Sequence, residues 1–336
     1  MTLTRRALLA TSFAAGLTAP LLPGLAHGDD IPGAAAYSSA RQGVSLLVMR
    51  RGEVVFEDYP NNGGADRAWE LASGTKSFCG IMAAALAQDG ALSLDERCAD
   101  TLQEWRSDPR KSRITIRELL TLTSGIGGGS IGRPPPYAQA VAEPAQFEPG
   151  ERFQYGPAPF QIFGEIVRRK TGGDPLAYLQ ARIFGPLDIE PQRWRRGADG
   201  NPHMPSGAAL TARDWAAFGR FVMSPRRGEP ALDPTVYDAL WQGTDANPGY
   251  GLTWWLLRPG LIGPSRSERR RAGIPTDEQM ETMRVDVRMA AGAGNQRLYL
   301  IPERELIIVR QATGIMQAMR GRGEEWSDAE FLEFFR

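Results

Sequence analysis

Apolar residues recur along this chain with two different periods, and each period has its own territory. Gly43-Val44-Ser45-Leu46-Leu47-Val48-Met49 and Glu53-Val54-Val55-Phe56-Glu57 are strand-like runs meeting at Arg51-Gly52, which predicts a β-hairpin. Near the other end, Val285 to Ala290, Arg297 to Ile301 and Leu306 to Arg310 predict three more strands. Asn295 and Pro302-Glu303-Arg304 mark the turns between them. A last helix is predicted over Asp328 to Phe335, with Ser327 as its N-cap. The middle of the chain carries helical spacing instead. An alanine-rich run covers Cys79 to Ala87, and further helices are predicted over Pro159 to Lys170, Pro175 to Ile183 and Thr211 to Met223. Thr115 and Glu118 form a capping box ahead of Leu119-Leu120. Strands at both ends with helices between them predict an α+β fold. One antiparallel sheet is built from both termini and flanked by helices, and a mainly helical lobe is inserted. The sheet lobe is expected over about 31–80 and 240–336, the helical lobe over about 81–239, and a ligand site in the cleft between them. Residues 258–284 are polar, arginine-rich and broken by Pro and Gly, which predicts an exposed excursion.

The first thirty residues stand apart from this pattern. Arg5-Arg6 precede a weakly apolar run from Ala7 to Leu22, and small residues follow at Ala26 and Gly28. This order predicts an export signal over residues 1–30, of twin-arginine type, and hence a periplasmic or secreted mature protein. Gly16, Pro20 and Pro23 interrupt the run, which argues against a membrane anchor, and no later segment is apolar enough to span a bilayer. The chain has 336 residues, 42% of them hydrophobic, and zero formal net charge, so no basic surplus points to nucleic acid as a partner. Two cysteines, Cys79 and Cys98, are expected as buried thiols, although export permits a bridge. Of the two histidines, His27 lies in the signal and leaves only His203. No Cys/His spacing suggests a metal, and no cofactor is implied.

With histidine so scarce, a histidine base would have to be His203, and another base comes into question first. Ser73-Gly74-Thr75-Lys76 supplies one, because a lysine three residues after a serine on a helix shares its face. Serine needs a base to take its proton, and a lysine serves if burial disfavours its charged form. The bare pattern also arises by chance, so further residues must support it. Tyr155 is the candidate for the second polar group, with its pKa expected to be pulled down by the lysine ammonium. The bland reading of Tyr155 is a core tyrosine. Gly292, Ala293 and Gly294 are candidates, with the backbone N–H of Ser73, for holding an oxyanion; the alternative is an ordinary hairpin turn. Tyr137, Trp254, Trp255 and Phe56 could line an apolar pocket, or simply pack in the core. A rival nucleophile, Ser130 in Gly128-Gly129-Ser130-Ile131-Gly132, matches Gly-x-Ser-x-Gly but needs a strand before it and a helix after it. Glycines and Arg133-Pro134-Pro135-Pro136 flank it instead.

In this order the features resemble the serine β-lactamase-like hydrolases: class C β-lactamases, D-alanyl-D-alanine peptidases, family VIII carboxylesterases and 6-aminohexanoate-dimer hydrolases. The resemblance runs from about Gly43 to Val309. It is carried by Leu71-Ala72-Ser73-Gly74-Thr75-Lys76-Ser77-Phe78 and by Ile114-Thr115-Ile116-Arg117-Glu118-Leu119-Leu120-Thr121-Leu122-Thr123-Ser124-Gly125-Ile126. Tyr155-Gly156-Pro157 falls where the family has Tyr-x-Asn, and Ala291 to Gln296 falls where β-lactamases have Lys-Thr-Gly. The resemblance implies a Ser73 acyl-enzyme, with Lys76 and Tyr155 as the acid–base pair, acting on a small ester or amide. Two departures matter. Pro157 replaces the family's asparagine, and no lysine stands near Gly292 to recognise a substrate carboxylate. An esterase or linear-amide hydrolase is therefore expected over a β-lactamase or peptidase, with a catalytically inactive binding or sensor domain as the alternative.

Overall fold

The computed structural model describes residues 28–127, 129–130, 132–257, 285–320, 322 and 325–335. The excursion read at 258–284 and almost all of the export signal lie outside the described residues. A six-stranded antiparallel sheet has the order β2-β1-β9-β8-β7-β6. Its strands are β1 (Gly43–Arg50), β2 (Glu53–Asp58), β6 (Trp255–Leu257), β7 (Val287–Gly292), β8 (Gln296–Ile301) and β9 (Leu306–Ala312). The first and last of these are neighbours, pairing from Gly43 with Ala312 to Arg50 with Leu306. The sheet is thus closed by the two ends of the chain, as the strand pattern predicts. Arg51 and Gly52 both take positive φ between β1 and β2, at 52° and 80°, the geometry that suits a two-residue hairpin turn. A second small sheet, in the order β3-β5-β4, joins Trp69–Glu70, Ala208–Leu210 and Arg193–Trp194. The buried Gln311 side chain ties the two sheets, donating to Leu210 O at 2.9 Å.

Helices cover both faces of the main sheet. The helices are α1 (Ile31–Ala40), α2 (Ser77–Gln88), α3 (Cys98–Thr101), α4 (Ile116–Leu120), α5 (Tyr137–Ala142), α6 (Ala158–Thr171), α7 (Pro175–Leu179), α8 (Ala212–Met223), α9 (Pro234–Ala239), α10 (Ile315–Met319) and α11 (Asp328–Leu332). Helix α8 lies on one face, where Gly219 lets it approach so closely that an added Cβ would stand 2.8 Å from Leu298. Terminal helices α1 and α11 lie on the other, where Tyr299 packs on Phe331 with ring centroids 5.7 Å apart. Side chains on β8 alternate between these faces. The predicted capping box is present: Thr115 N donates to Glu118 Oε2 at 2.7 Å, and Glu118 N donates to Thr115 Oγ1 at 3.3 Å. Helix α1 has no counterpart in the sequence reading. Its small residues carry no marked periodicity, and docking against β1 and α11 holds it.

Helix α2 runs through the centre of the molecule and is buried from Ser77 to Leu86. A helix apolar on all sides belongs in such a place. Phe78 anchors it among Phe218, Phe184 and Trp194, with ring centroids 4.6, 5.1 and 5.9 Å away. Cys79 and Cys98 are free, buried thiols. Gly80 marks a close contact, since a Cβ there would lie 2.7 Å from both Leu240 Cδ2 and Leu252 O. Alanine in a helix is ordinarily favoured over glycine by about 1 kcal/mol. Here overpacking against a backbone carbonyl reverses the sign, and Gly80→Ala is expected to destabilise the fold by about 1–3 kcal/mol in urea or thermal unfolding. An unchanged or raised melting temperature would show that α2 has room to move.

Candidate active site

The chain enters the site from β3. Leu71 N donates to Ala208 O at 3.0 Å, and the backbone then folds into a 3₁₀ turn over Ala72–Lys76 before α2 begins at Ser77. Ala72 takes a left-handed φ of 45°, a costly conformation for a residue with a Cβ, immediately before Ser73. The turn is braced by buried hydroxyls: Thr75 Oγ1 donates to Ala72 O at 2.8 Å, and Ser77 Oγ donates to Gly74 O at 2.7 Å. Ser73 and Lys76 were expected on an α-helix; both lie on this tighter turn instead. At three residues per turn, positions i and i+3 eclipse, which brings the two side chains face to face. Lys76 Nζ lies 3.0 Å from Ser73 Oγ.

The amine is held away from water. Lys76 is 4% exposed, whereas Ser73 is half-buried and reachable. Its second hydrogen bond goes to Pro205 O at 3.1 Å, and the rings of Tyr155 and Phe160 lie 4.9 and 5.4 Å from Nζ. Among the described residues no carboxylate pairs with it. Burial therefore pulls the amine down from 10.5 to about 7, with Cys79 acting weakly in the opposite sense. Tyr155 behaves contrary to expectation. Burial pushes its hydroxyl up to about 12, and its hydrogen bond with Ser73 and the nearby Arg297 offset this only in part. Lys76 is not among the groups that lower it, because the same burial leaves the amine largely uncharged. Tyr155 accordingly keeps its proton at neutral pH. Its ring stacks on Trp255, with centroids 5.7 Å apart and planes 27° apart.

The end of β7 abuts the same turn. A Cβ on Gly292 would stand 2.1 Å from Leu71 O and 3.2 Å from Ala72 Cβ, so only glycine permits this approach. The turn Ala293-Gly294-Asn295 follows, with φ of 73° at Gly294 and 60° at Asn295, and leads into β8. Ala293 is half-buried beside the site.

Three pocket candidates lie elsewhere. Trp254 is fully buried in the core, stacked on Phe218 at 6.4 Å and against Trp241 at 5.6 Å. Tyr137 is 1% exposed and donates to Pro202 O at 3.1 Å. It borders a cavity of about 690 Å³ with Trp105, Lys111 and Arg168, and this cavity touches none of Ser73, Lys76 and Tyr155. Phe56 packs at the opposite edge of the sheet. Ser130 is exposed in a loop and bridged to Arg133, and among the described residues no strand leads into it and no helix begins directly after it. The Pro205 carbonyl was not anticipated, because no local signal marks a backbone acceptor so remote in sequence from Lys76.

The beta-lactamase family model matches residues 26–314. Lovastatin esterase of Penicillium rubens is 31% identical over 150 residues, covering 35% of this chain and 37% of that protein. Protein flp of Staphylococcus aureus is 24% identical over 168 residues, covering 44% and 34%. These matches span little more than a third of the length of the curated relatives. A class C beta lactamase from Rhodobacter sphaeroides has the same fold, with a TM-score of 0.61, 18% identity, and coverage of 90% of this chain and 97% of that one. The sheet closed by both termini, the eclipsed serine and lysine and the family match together place this chain in the beta-lactamase family of serine hydrolases.

Proposed function

We propose that this protein cleaves a small ester or linear amide by acyl transfer through Ser73. The observation that carries this reading is the buried amine of Lys76, 3.0 Å from Ser73 Oγ with a pKa near 7. Neutral Lys76 takes the hydroxyl proton as Ser73 Oγ bonds to the substrate carbonyl carbon. The backbone N–H groups of Ser73 and of the Gly292–Gly294 turn hold the oxyanion, each worth about 3 kcal/mol in such sites. As the carbonyl–heteroatom bond breaks, Tyr155 gives its proton to the departing alcohol or amine and regains one from the Lys76 ammonium. Water then attacks the acyl-enzyme, delivering its proton to the same pair, and the acid leaves with Ser73 restored.

Pro205 O supports this use of Lys76 without the family's asparagine, since it accepts a hydrogen bond from the amine and leaves it no anionic partner. The run Val287–Gln296 contains no lysine, which leaves a substrate carboxylate without the cation a β-lactamase offers it. The likeness to lovastatin esterase points the same way, towards esters.

Ser73→Ala is expected to abolish the burst of p-nitrophenolate from a short-chain p-nitrophenyl ester and to lower kcat by at least about 10⁴-fold, with an unchanged circular dichroism spectrum. A burst retained in that variant would remove Ser73 from the mechanism. A panel of short esters, linear amide dimers and a chromogenic cephalosporin should rank esters and linear amides above the lactam.

The pH profile follows from the amine. Its neutral fraction grows tenfold per pH unit below 7, so kcat/KM is expected to rise with pH and level off above about 7. A flat profile down to pH 5 would require another base. The same shift has a cost in stability. The folded pKa lies below the unfolded 10.5, so the unfolded chain binds more protons between pH 7 and 10.5, and stability from this group rises across that window. Lys76→Met should therefore be inactive yet more stable than the parent at pH 6. Its advantage in urea melts should shrink by pH 10.

A further inference from the structure

Behind the oxyanion turn lies a polar network with no part in the chemistry just described. Arg297, on β8, is 0% exposed, and Asp328, the first residue of α11, is 1% exposed. Arg297 Nε and Nη2 donate to the Asp328 carboxylate at 2.7 and 3.2 Å. The Trp326 indole donates to the same carboxylate at 3.0 Å, and the Tyr299 hydroxyl donates to it as well. The guanidinium's remaining arm, Nη1, turns the other way and donates to Gly292 O at 3.1 Å and Gln296 O at 3.0 Å. One planar fork therefore joins the last helix to both ends of the turn beside Ser73.

Other buried side chains hold the rest of that turn. Gln296 Nε2 donates to Gly294 O at 3.3 Å and to Ala312 O at 2.7 Å. Arg310 Nη1 donates to Asn295 O at 2.8 Å. Gly292, Gly294, Asn295 and Gln296 thus all have their carbonyls fixed by buried donors. A trans peptide is planar, with its C=O and N–H pointing to opposite sides. Clamping Gly292 O towards Arg297 therefore aims the Ala293 N–H away from Arg297. Stability alone does not account for this arrangement, because desolvation largely cancels the attraction within a buried ion pair.

We propose that Arg297, held by Asp328, is a positioning residue for catalysis: it sets the direction of the peptide that presents the Ala293 N–H to the substrate oxyanion. The proposal rests on acyl transfer at Ser73. It adds that α11, distant in sequence from both Ser73 and Lys76, tunes the transition state without touching substrate.

Asp328→Asn keeps the side chain's shape and removes its charge. Per active site titrated with a fluorophosphonate, it is expected to lower kcat about 10- to 100-fold with KM within threefold of the parent, the loss typical of small misplacements. The inhibition constant of an alkylboronic acid, which forms a tetrahedral adduct, should rise by a similar factor. The pH midpoint near 7 should stay where Lys76 sets it. Hydrogen exchange in a peptide covering residues 290–297 should quicken at least tenfold, with α2 unaffected. A kcat per titrated site within twofold of the parent, or unchanged exchange in that peptide, would overturn the proposal and leave Asp328 a purely structural residue. Should Asp328→Asn fail to fold, Tyr299→Phe removes a single hydrogen bond to the carboxylate and is expected to lower kcat about three- to tenfold under the same criteria. If the parent protein itself gave no burst, acyl transfer at Ser73 would fall, while the exchange experiment would still decide whether the network holds the turn.

Discussion

The site depends on keeping one amine dry. Lysine is charged in water, and a charged Lys76 cannot accept the proton of Ser73. The fold removes it from solvent just before a helix buried from Ser77 to Leu86, covers it with the rings of Tyr155 and Phe160, and gives it a neutral carbonyl rather than a carboxylate as partner. A carboxylate in the place of Pro205 O would hold the lysine charged and defeat its use as a base. The neighbouring features follow from this requirement. Tyr155, in the same apolar surroundings, is driven the other way and keeps its proton. Burial thus separates the two groups, leaving an amine with a pKa near 7 and a phenol near 12, with Nζ 4.9 Å from the Tyr155 ring centre.

Close backbone approaches build the rest of the geometry. Gly292 brings the end of β7 against the turn that carries Ser73, and Gly74 lets that turn rest on Trp215, whose ring would lie 2.8 Å from an added Cβ. The Gly292 contact is chiefly backbone against backbone, so the end of β7 and the turn that carries Ser73 are held close largely by main chain. The left-handed Ala72 sits at the same junction, immediately before Ser73.

Much of this was legible in the sequence, and the exceptions have physical causes. The hairpins were readable because Arg51-Gly52, Asn295 and Pro302 punctuate runs with a period of two. The capping box at Thr115 and Glu118 was readable because it is a local contact. Ser73 and Lys76 were readable as a pair, although not as a 3₁₀ turn, since a spacing of three suits both helices. Helix α1 was missed because its register is set by what it docks against. Trp254 and Trp255 could not be separated in advance. Adjacent residues in extended chain point to opposite sides, so only one could reach Tyr155, and composition does not say which. The lowered pKa expected of Tyr155 failed because proximity to a lysine was weighed without the depth at which both groups lie. Arg297 opens the run read as a strand, but its partner at position 328 could come only from the fold.

The sheet in which β1 pairs with β9 has a consequence for how the protein is made. Strand β1 emerges early from the ribosome, yet its central neighbour arrives some 260 residues later. Until then the nascent chain carries an unpaired strand edge and a half-covered apolar face, the surfaces on which chains stick to one another. Long-range pairing of this kind also slows the final collapse. Ser73 is therefore made well before β9, the strand that completes the centre of the sheet, and under the proposed acyl transfer a chain lacking β9 would be catalytically silent.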